Sequence, residues 1–376
     1  MMLDFPAVTA MHARVNPFFT PGRVLHQPRG PVRAFHRSLP GYAPTPLHCC
    51  AGLAQALGQG GVYLKDESQR FGLGAFKALG ASWALDRIRA HRQGPITVAT
   101  ATEGNHGRAV AWAARLAGLQ AVVFIPSHAA PARVERIRCE GARVELVPGS
   151  YDDAVRRCAV ESAAHGWQVV SDTGYEGYLE IPHWIAEGYA TLFEEADEQL
   201  AAQGLAPPDV VLVQAGVGGL LHAAVDHIRA KAIQPVLAAV EPVEADALFA
   251  SINTPEGDPV PSRGRQDSIM AGLNCGEVSL AAWPVVRRGV ELFMTVEDRF
   301  AEEAMRRLAQ PAGGDPPVVA GESGAAGLAG LLALLEAPEL RSAHGFLRLG
   351  PGTRVLLVIT EGATDPVGYR RVVGER

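Results

Sequence analysis

At 376 residues, 48% of them hydrophobic and 20% charged, the chain can bury a large core in two lobes and has the composition of a soluble globular enzyme. A net charge of −6 provides no basic field for nucleic acid, and the longest apolar runs fall short of a membrane span. Met1-Met2-Leu3-Asp4-Phe5-Pro6 lacks the basic and apolar regions of a signal peptide, and five cysteines without a CxxC pair fit free thiols in a reducing cytoplasm, with neither a disulfide framework nor a metal site.

Residues 1–40, rich in Arg, Pro and His without periodicity, read as an irregular arm. Pro44-Thr45-Pro46-Leu47 stops regular structure, and a helix follows through Leu53 and Leu57. A strand is expected over 61–64. Beyond Gly94-Pro95 strands and helices alternate: strands at 96–99, 121–125, 143–147 and 167–170, helices at 109–116, 134–139 and 151–164. A long helix over 182–200 leads to strands at 209–213 and 238–240, then to a Pro- and Gly-rich loop, 252–268, long enough to be a gate. A helix opening at Glu322-Ser323-Gly324 and a strand over 354–359 close the pattern. The alternation implies an α/β fold of open, mostly parallel sheets covered by helices, with ligands at the carboxyl ends of the strands.

One stretch stands out, Lys65-Asp66-Glu67-Ser68-Gln69-Arg70-Phe71-Gly72-Leu73-Gly74-Ala75-Phe76-Lys77-Ala78-Leu79-Gly80. Of the 34 basic residues only Lys65, Lys77 and Lys231 are lysine. Arginine replaces lysine on most surfaces, but it cannot lose a proton to become a nucleophilic amine. Lys77 sits where a helix should start; Lys65 ends a strand in a charged turn that suits an ion pair.

Four further stretches follow strands. Gln214-Ala215-Gly216-Val217-Gly218-Gly219 reads as an anion cup of backbone N–H groups at a helix start, or as a tight strand-to-helix turn. Thr102-Glu103-Gly104-Asn105-His106-Gly107 reads as a helix cap or as a loop presenting the Asn105 amide to a ligand; His106 alone reads as structural. Asp172, in Ser171-Asp172-Thr173-Gly174-Tyr175-Glu176-Gly177-Tyr178, is a candidate acid or base or a turn cap. Thr360-Glu361-Gly362 ends the last strand with a neutral hydroxyl. An aldehyde trap, an oxygen partner, a phosphate cradle and a ring-nitrogen partner are together what pyridoxal 5′-phosphate needs.

In these stretches, and in Ala34-Phe35-His36-Arg37-Ser38-Leu39-Pro40-Gly41-Tyr42-Ala43-Pro44-Thr45-Pro46-Leu47, Glu241-Pro242, Ile269-Met270-Ala271-Gly272-Leu273 and Gly321-Glu322-Ser323-Gly324-Ala325, the sequence resembles the diaminopropionate ammonia-lyases, of the tryptophan-synthase-β (fold type II) group of pyridoxal-phosphate enzymes. The resemblance runs from about Arg33 to Arg371. It implies a large cofactor-binding lobe of 1–91 and 175–376, an inserted small mobile lobe of 92–174, and a homodimer. It further implies that Lys77 carries the cofactor as a Schiff base and then acts as base at Cα. Asn105 would meet the ring 3′-oxygen, Gly216, Val217, Gly218 and Gly219 the phosphate, and Thr360 the pyridine nitrogen, with no metal. Asp172 would assist proton transfer or pair with a cationic β-amine. Glu103 stands where the family usually has Asp, the base for the D-isomer, so activity on that isomer is expected to differ. The cysteine that pairs in some members with the one matching Cys275 is absent near Ala247. The reaction implied is α,β-elimination of 2,3-diaminopropionate to pyruvate and two ammonia. The alternatives are a serine or threonine dehydratase on the same scaffold and a non-catalytic cofactor-binding sensor.

Overall fold

A computed structural model of the protein describes residues 10–20, 30–92, 94–102 and 104–374. Among these described residues eleven strands form two sheets. The larger is built of β1 (Ala13–Val15), β2 (Leu47–Cys49), β3 (Gly61–Asp66), β8 (Val210–Gln214), β9 (Val236–Pro242), β10 (Leu292–Val296) and β11 (Arg354–Ile359), in the order β1-β10-β9-β8-β11-β3-β2. The smaller holds β4 (Thr97–Ala101), β5 (Gln120–Pro126), β6 (Arg143–Val147) and β7 (Gln168–Val169), in the order β6-β5-β4-β7. All pairings are parallel except those of β1 with β10 and β2 with β3, at the two edges of the larger sheet.

The continuous apolar strands follow from burial on both faces. In β3 every residue from Gly61 to Asp66 is buried. One face of the larger sheet packs on helices Lys77–His91, Glu180–Ala202 and Gly219–Arg229, the other on Asp298–Ala309 and Ala326–Glu336. The smaller sheet repeats this arrangement. Val122 and Phe124 face the helix Tyr151–His165, while Val123 and Ile125 face Pro131–Arg138, as a two-residue period requires.

β11 is the central seam. It pairs with β3 from Arg354↔Gly61 to Ile359↔Asp66 and with β8 over Val355↔Val210 to Leu357↔Leu212. Three carboxyl ends therefore open side by side.

Four expectations need amendment. The N-terminal arm is not wholly irregular: β1 extends the sheet edge, and Val32–Ser38 is a helix whose His36 is buried against Thr191 and Leu79. β2 and β10 were not expected; β2 has three residues and β10 no alternation, because all five of its residues are buried. The last long helix begins at Ala326, after a hydrogen-bonded turn over 321–325 in which Gly324 lies against the Glu361 backbone. The loop 252–268 is tied down. Ser262 and Arg263 bond Asp246, Val260 bonds Ser251, and the Trp283 indole donates to the Gly257 carbonyl at 2.9 Å.

Candidate active site

The end of β11 delivers Lys77. Gly362 N–H donates to the Gly74 carbonyl at 2.9 Å, Ala75 bridges Glu361, and Phe76 N–H donates to the Thr360 carbonyl at 3.1 Å. To reach that line the chain turns through Phe71, Gly72 and Gly74 with φ of 53°, 71° and 81°. Phe71 is an unusual residue for this left-handed region; its ring is held against Trp112 at 4.7 Å between centroids. Below it Arg70 is clamped by Glu67 and Glu195, and the Lys65 ammonium donates to Glu195 at 2.7 Å and to the Thr45 carbonyl at 2.7 Å. Lys65 is thus consumed in a buried ion cluster that anchors the loop.

Lys77, the first residue of helix Lys77–His91, faces the cavity instead. Its Nζ donates to Asp172 Oδ2 at 2.6 Å. Burial disfavours the ammonium, but the Asp172 carboxylate more than offsets it and holds the amine above the ordinary lysine pKa. For Asp172 burial pushes the carboxyl up, and the Lys77 charge overrules it, leaving the group well below the usual carboxylate range. His106 Nε2–H donates to the Val170 carbonyl at 2.9 Å, and its Nδ1 lies 3.8 Å from Asp172 in a buried setting that favours the neutral ring. Burial lowers its pKa in keeping with that.

The helix Asn105–Leu116 starts at the carboxyl end of β4. Thr102 Oγ accepts from Gly104 and Gly107 N–H at 2.8 and 3.1 Å, so the Thr102 side chain, not Asn105, caps the helix. Asn105 is left to line the cavity, its amide donating to the Glu361 carboxylate across from the small sheet. Glu103 lies outside the described residues.

The glycine turn follows β8. Gly218 has φ of 98°, and the helix Gly219–Arg229 begins at once, so its first N–H groups point into the cavity wall. A side-chain carbon at Gly216 would stand 2.8 Å from Cys275 Sγ. Gly216, Val217, Gly218 and Gly219 all line the cavity, as does Thr360. The Thr360 hydroxyl accepts from Gln214 Nε2 at 3.1 Å, and Gln214 in turn is held by the carbonyls of Ser323, Gly324 and Val358.

The fold therefore brings Lys77, Asp172, Asn105, the glycine turn and Thr360 around one cavity. Sequence reasoning missed Tyr189, Cys275 and the orienting role of Gln214. Burial and the nearby Asp172 charge push the Cys275 thiol up to about 12, so it is no thiolate nucleophile.

The chain matches the family model of pyridoxal-phosphate dependent enzymes over residues 39–365. It is 40% identical to the diaminopropionate ammonia-lyase of Salmonella typhimurium, over 94% of this chain and 92% of that one. The chain belongs to the diaminopropionate ammonia-lyase family. Among solved structures, the holo ammonia-lyase of Escherichia coli has a TM-score of 0.88 at 37% identity, covering 97% of this chain and 96% of that one. The same enzyme with an aminoacrylate-PLP azomethine reaction intermediate has 0.86 at 38%, covering 97% of both. The fold of this ammonia-lyase family member is accordingly that of the fold type II pyridoxal-phosphate enzymes, and its cofactor is pyridoxal 5′-phosphate. The cavity fits that group on its own terms. It offers a lysine amine, a glycine turn at a helix N-terminus for a phosphate, and a neutral hydroxyl.

Proposed function

We propose that the protein eliminates ammonia from 2,3-diaminopropionate, giving pyruvate and two ammonia, with Lys77 and Asp172 as its working pair. The observation that carries this reading is the 2.6 Å contact of Lys77 Nζ with Asp172 inside a glycine-lined cavity. Bound there, the cofactor supplies an aldehyde for the amino group and a conjugated ring that delocalises the electron pair left at Cα.

Lys77 would hold the cofactor and, once free, take the proton from Cα. The Cβ–N bond then breaks with nitrogen keeping the pair. Asp172 suits the leaving group: a carboxylate freed of its lysine partner pairs with a cationic β-amine and orients it to depart as neutral ammonia. The released enamine hydrolyses to pyruvate and the second ammonia. The turn 216–219 would hold the phosphate with backbone N–H groups, Asn105 would meet the ring oxygen, and Thr360 the ring nitrogen. A hydroxyl there leaves the ring less electron-withdrawing than a carboxylate would, which favours prompt elimination.

Glu103 would take the place of a shorter carboxylate on the opposite side of Cα. Its extra methylene moves the charge, and reach governs a general base. We take 92–174 as a small lobe that moves against 1–91 and 175–376. Arg136 donating to the Thr364 carbonyl at 2.9 Å and Arg108 to the Leu73 carbonyl at 2.7 Å support the two meeting around the site. Among the described residues no helix is long and apolar enough to cross a membrane. The five free cysteines suit the reducing cytoplasm, and a homodimer is the assembly we assign.

The test is release of pyruvate and ammonia from D- and L-diaminopropionate, D- and L-serine and L-threonine by protein loaded with pyridoxal 5′-phosphate. Strong preference for the diamine, with two ammonia per pyruvate, is expected; turnover confined to serine or threonine would make it a dehydratase. A D/L ratio that Glu103→Asp leaves unchanged would remove Glu103 from the mechanism.

A further inference from the structure

Tyr189 is a group at the cavity that the working pair does not use. It projects from helix Glu180–Ala202 past the start of helix Lys77–His91, and two glycines make that path. Alanine at Gly188 would bring a carbon within 2.5 Å of the Leu79 carbonyl, and at Gly80 within 2.6 Å of the Tyr189 ring Cε1. The two helices therefore touch backbone to backbone, and the ring is driven between them. It packs on Phe76 at 4.6 Å between centroids and is 1% exposed.

Among the described residues no group hydrogen-bonds the hydroxyl at ordinary distance, although it is buried, lines the cavity and interacts with the Lys77 ammonium. A phenylalanine would fill the same space without the penalty of a buried, unpaired hydroxyl. The other edge of the ring faces the glycine turn: a carbon on Gly219 would stand 3.8 Å from Cε2. Lys77 Nζ lies 5.9 Å from the ring centroid. The ring thus lies beside both the amine that would hold the cofactor and the helix N-terminus that would receive its phosphate, with the hydroxyl in reach of that amine. Burial pushes the phenol above its ordinary pKa, so it stays protonated and available as a donor.

We propose that the Tyr189 hydroxyl is a side-chain donor of the phosphate seat, completing with a directed O–H the cup that 216–219 form from backbone N–H groups. This rests on the reading of that turn as the phosphate site. It gives the seat one element that discriminates by hydrogen bonding and a ring that fixes the seat relative to Lys77.

The experiment uses the full chain stripped of cofactor, wild type and Tyr189→Phe, titrated with pyridoxal 5′-phosphate and with pyridoxal, reading the absorbance of the bound aldehyde. Melting of the stripped proteins is followed in parallel. We expect Tyr189→Phe to lose about tenfold to a hundredfold in affinity for the phosphorylated form, since hydrogen bonds to charged groups are worth that much. Affinity for pyridoxal should stay the same, and the stripped variant should melt no lower than wild type. Unchanged affinity for the phosphorylated form, an equal loss with both ligands, or failure of the variant to fold would each overturn the inference while leaving the phosphate cup standing. Wild type binding both ligands equally would instead remove the cup itself, and the inference with it.

Discussion

Lys65 and Lys77 stand twelve positions apart and have opposite fates, decided by what each side chain meets. Lys65 points into a closed set of one carboxylate, Glu195, and the carbonyl oxygens of Thr45 and Gln199, and has no room for chemistry. Lys77 has one strong partner, Asp172, on the cavity wall. That pairing keeps the amine protonated in the free protein. Asp172→Asn removes the opposing charge and leaves burial, which lowers a lysine pKa, as the dominant influence. The midpoint of cofactor loading against pH should then move down by about 1 to 3 units, while kcat on the diamine falls by about 10²–10⁴. A loading midpoint that does not move would mean Asp172 is not what holds the proton on Lys77. In the stripped wild type the pair's stabilisation has two edges. The Asp172 share is present above the ordinary carboxylate pKa and is lost as pH falls through its depressed folded value. The Lys77 share is present below the ordinary lysine pKa and is lost as pH rises through its raised folded value. Between the two ordinary values the pair contributes a constant amount.

The elements that aim Lys77 depend on an ion cluster as much as on apolar packing. Glu195, fully buried on helix Glu180–Ala202, takes Lys65 at 2.7 Å, Arg70 at 2.7 Å and the Tyr42 hydroxyl at 2.8 Å. Burial pushes its carboxyl up, yet the Arg70 guanidinium and the Lys65 ammonium pull it below the ordinary glutamate value. One carboxylate thereby joins the helix, β3 and the turn before Lys77. Glu195→Gln leaves two buried cations short of a counter-charge and should destabilise the protein by about 3–5 kcal/mol, measured by urea unfolding. A loss under 1 kcal/mol would mean that water or Glu67 can compensate. The same substitution should alter cofactor affinity as well, because the 67–76 turn is the support of Lys77.

In the whole molecule the cavity lies where the two sheets meet. The larger sheet contributes the ends of β8 and β11 with the start of helix Lys77–His91, and the smaller contributes the end of β4 and the segments after β4 and β7. The loop 252–268 is not built as a gate across this junction. Its hydrogen bonds run to Asp246, Ser251, Glu244, Trp283 and Asp298, all within the larger part of the chain. Limited proteolysis within this loop should proceed equally with and without diaminopropionate, whereas protection on substrate addition would make it a lid.

How much of this was legible beforehand follows from range. The alternation of apolar runs and glycine punctuation identified most strands and helices, and with them the parallel α/β class, because burial on both faces leaves a local imprint in β3, β8 and β11. The scarcity of lysine marked Lys77, and a glycine turn between strand and helix marked 216–219, since both signals lie within a few residues. β1 and β2 left no such imprint; each has three residues and takes its conformation from a neighbouring strand distant in sequence. Tyr189 was equally hidden: within its own helix it is one more buried residue. Its place beside Lys77 depends on two glycines, Gly80 and Gly188, that let separate helices touch. The sequence by itself determined which groups could do chemistry, because that is set by side-chain type and local backbone. Only the tertiary structure decided which of them share a cavity, because the contacts of Lys77 with Asp172, of Asn105 with Glu361 and of Gln214 with Thr360 each join residues 95 or more positions apart.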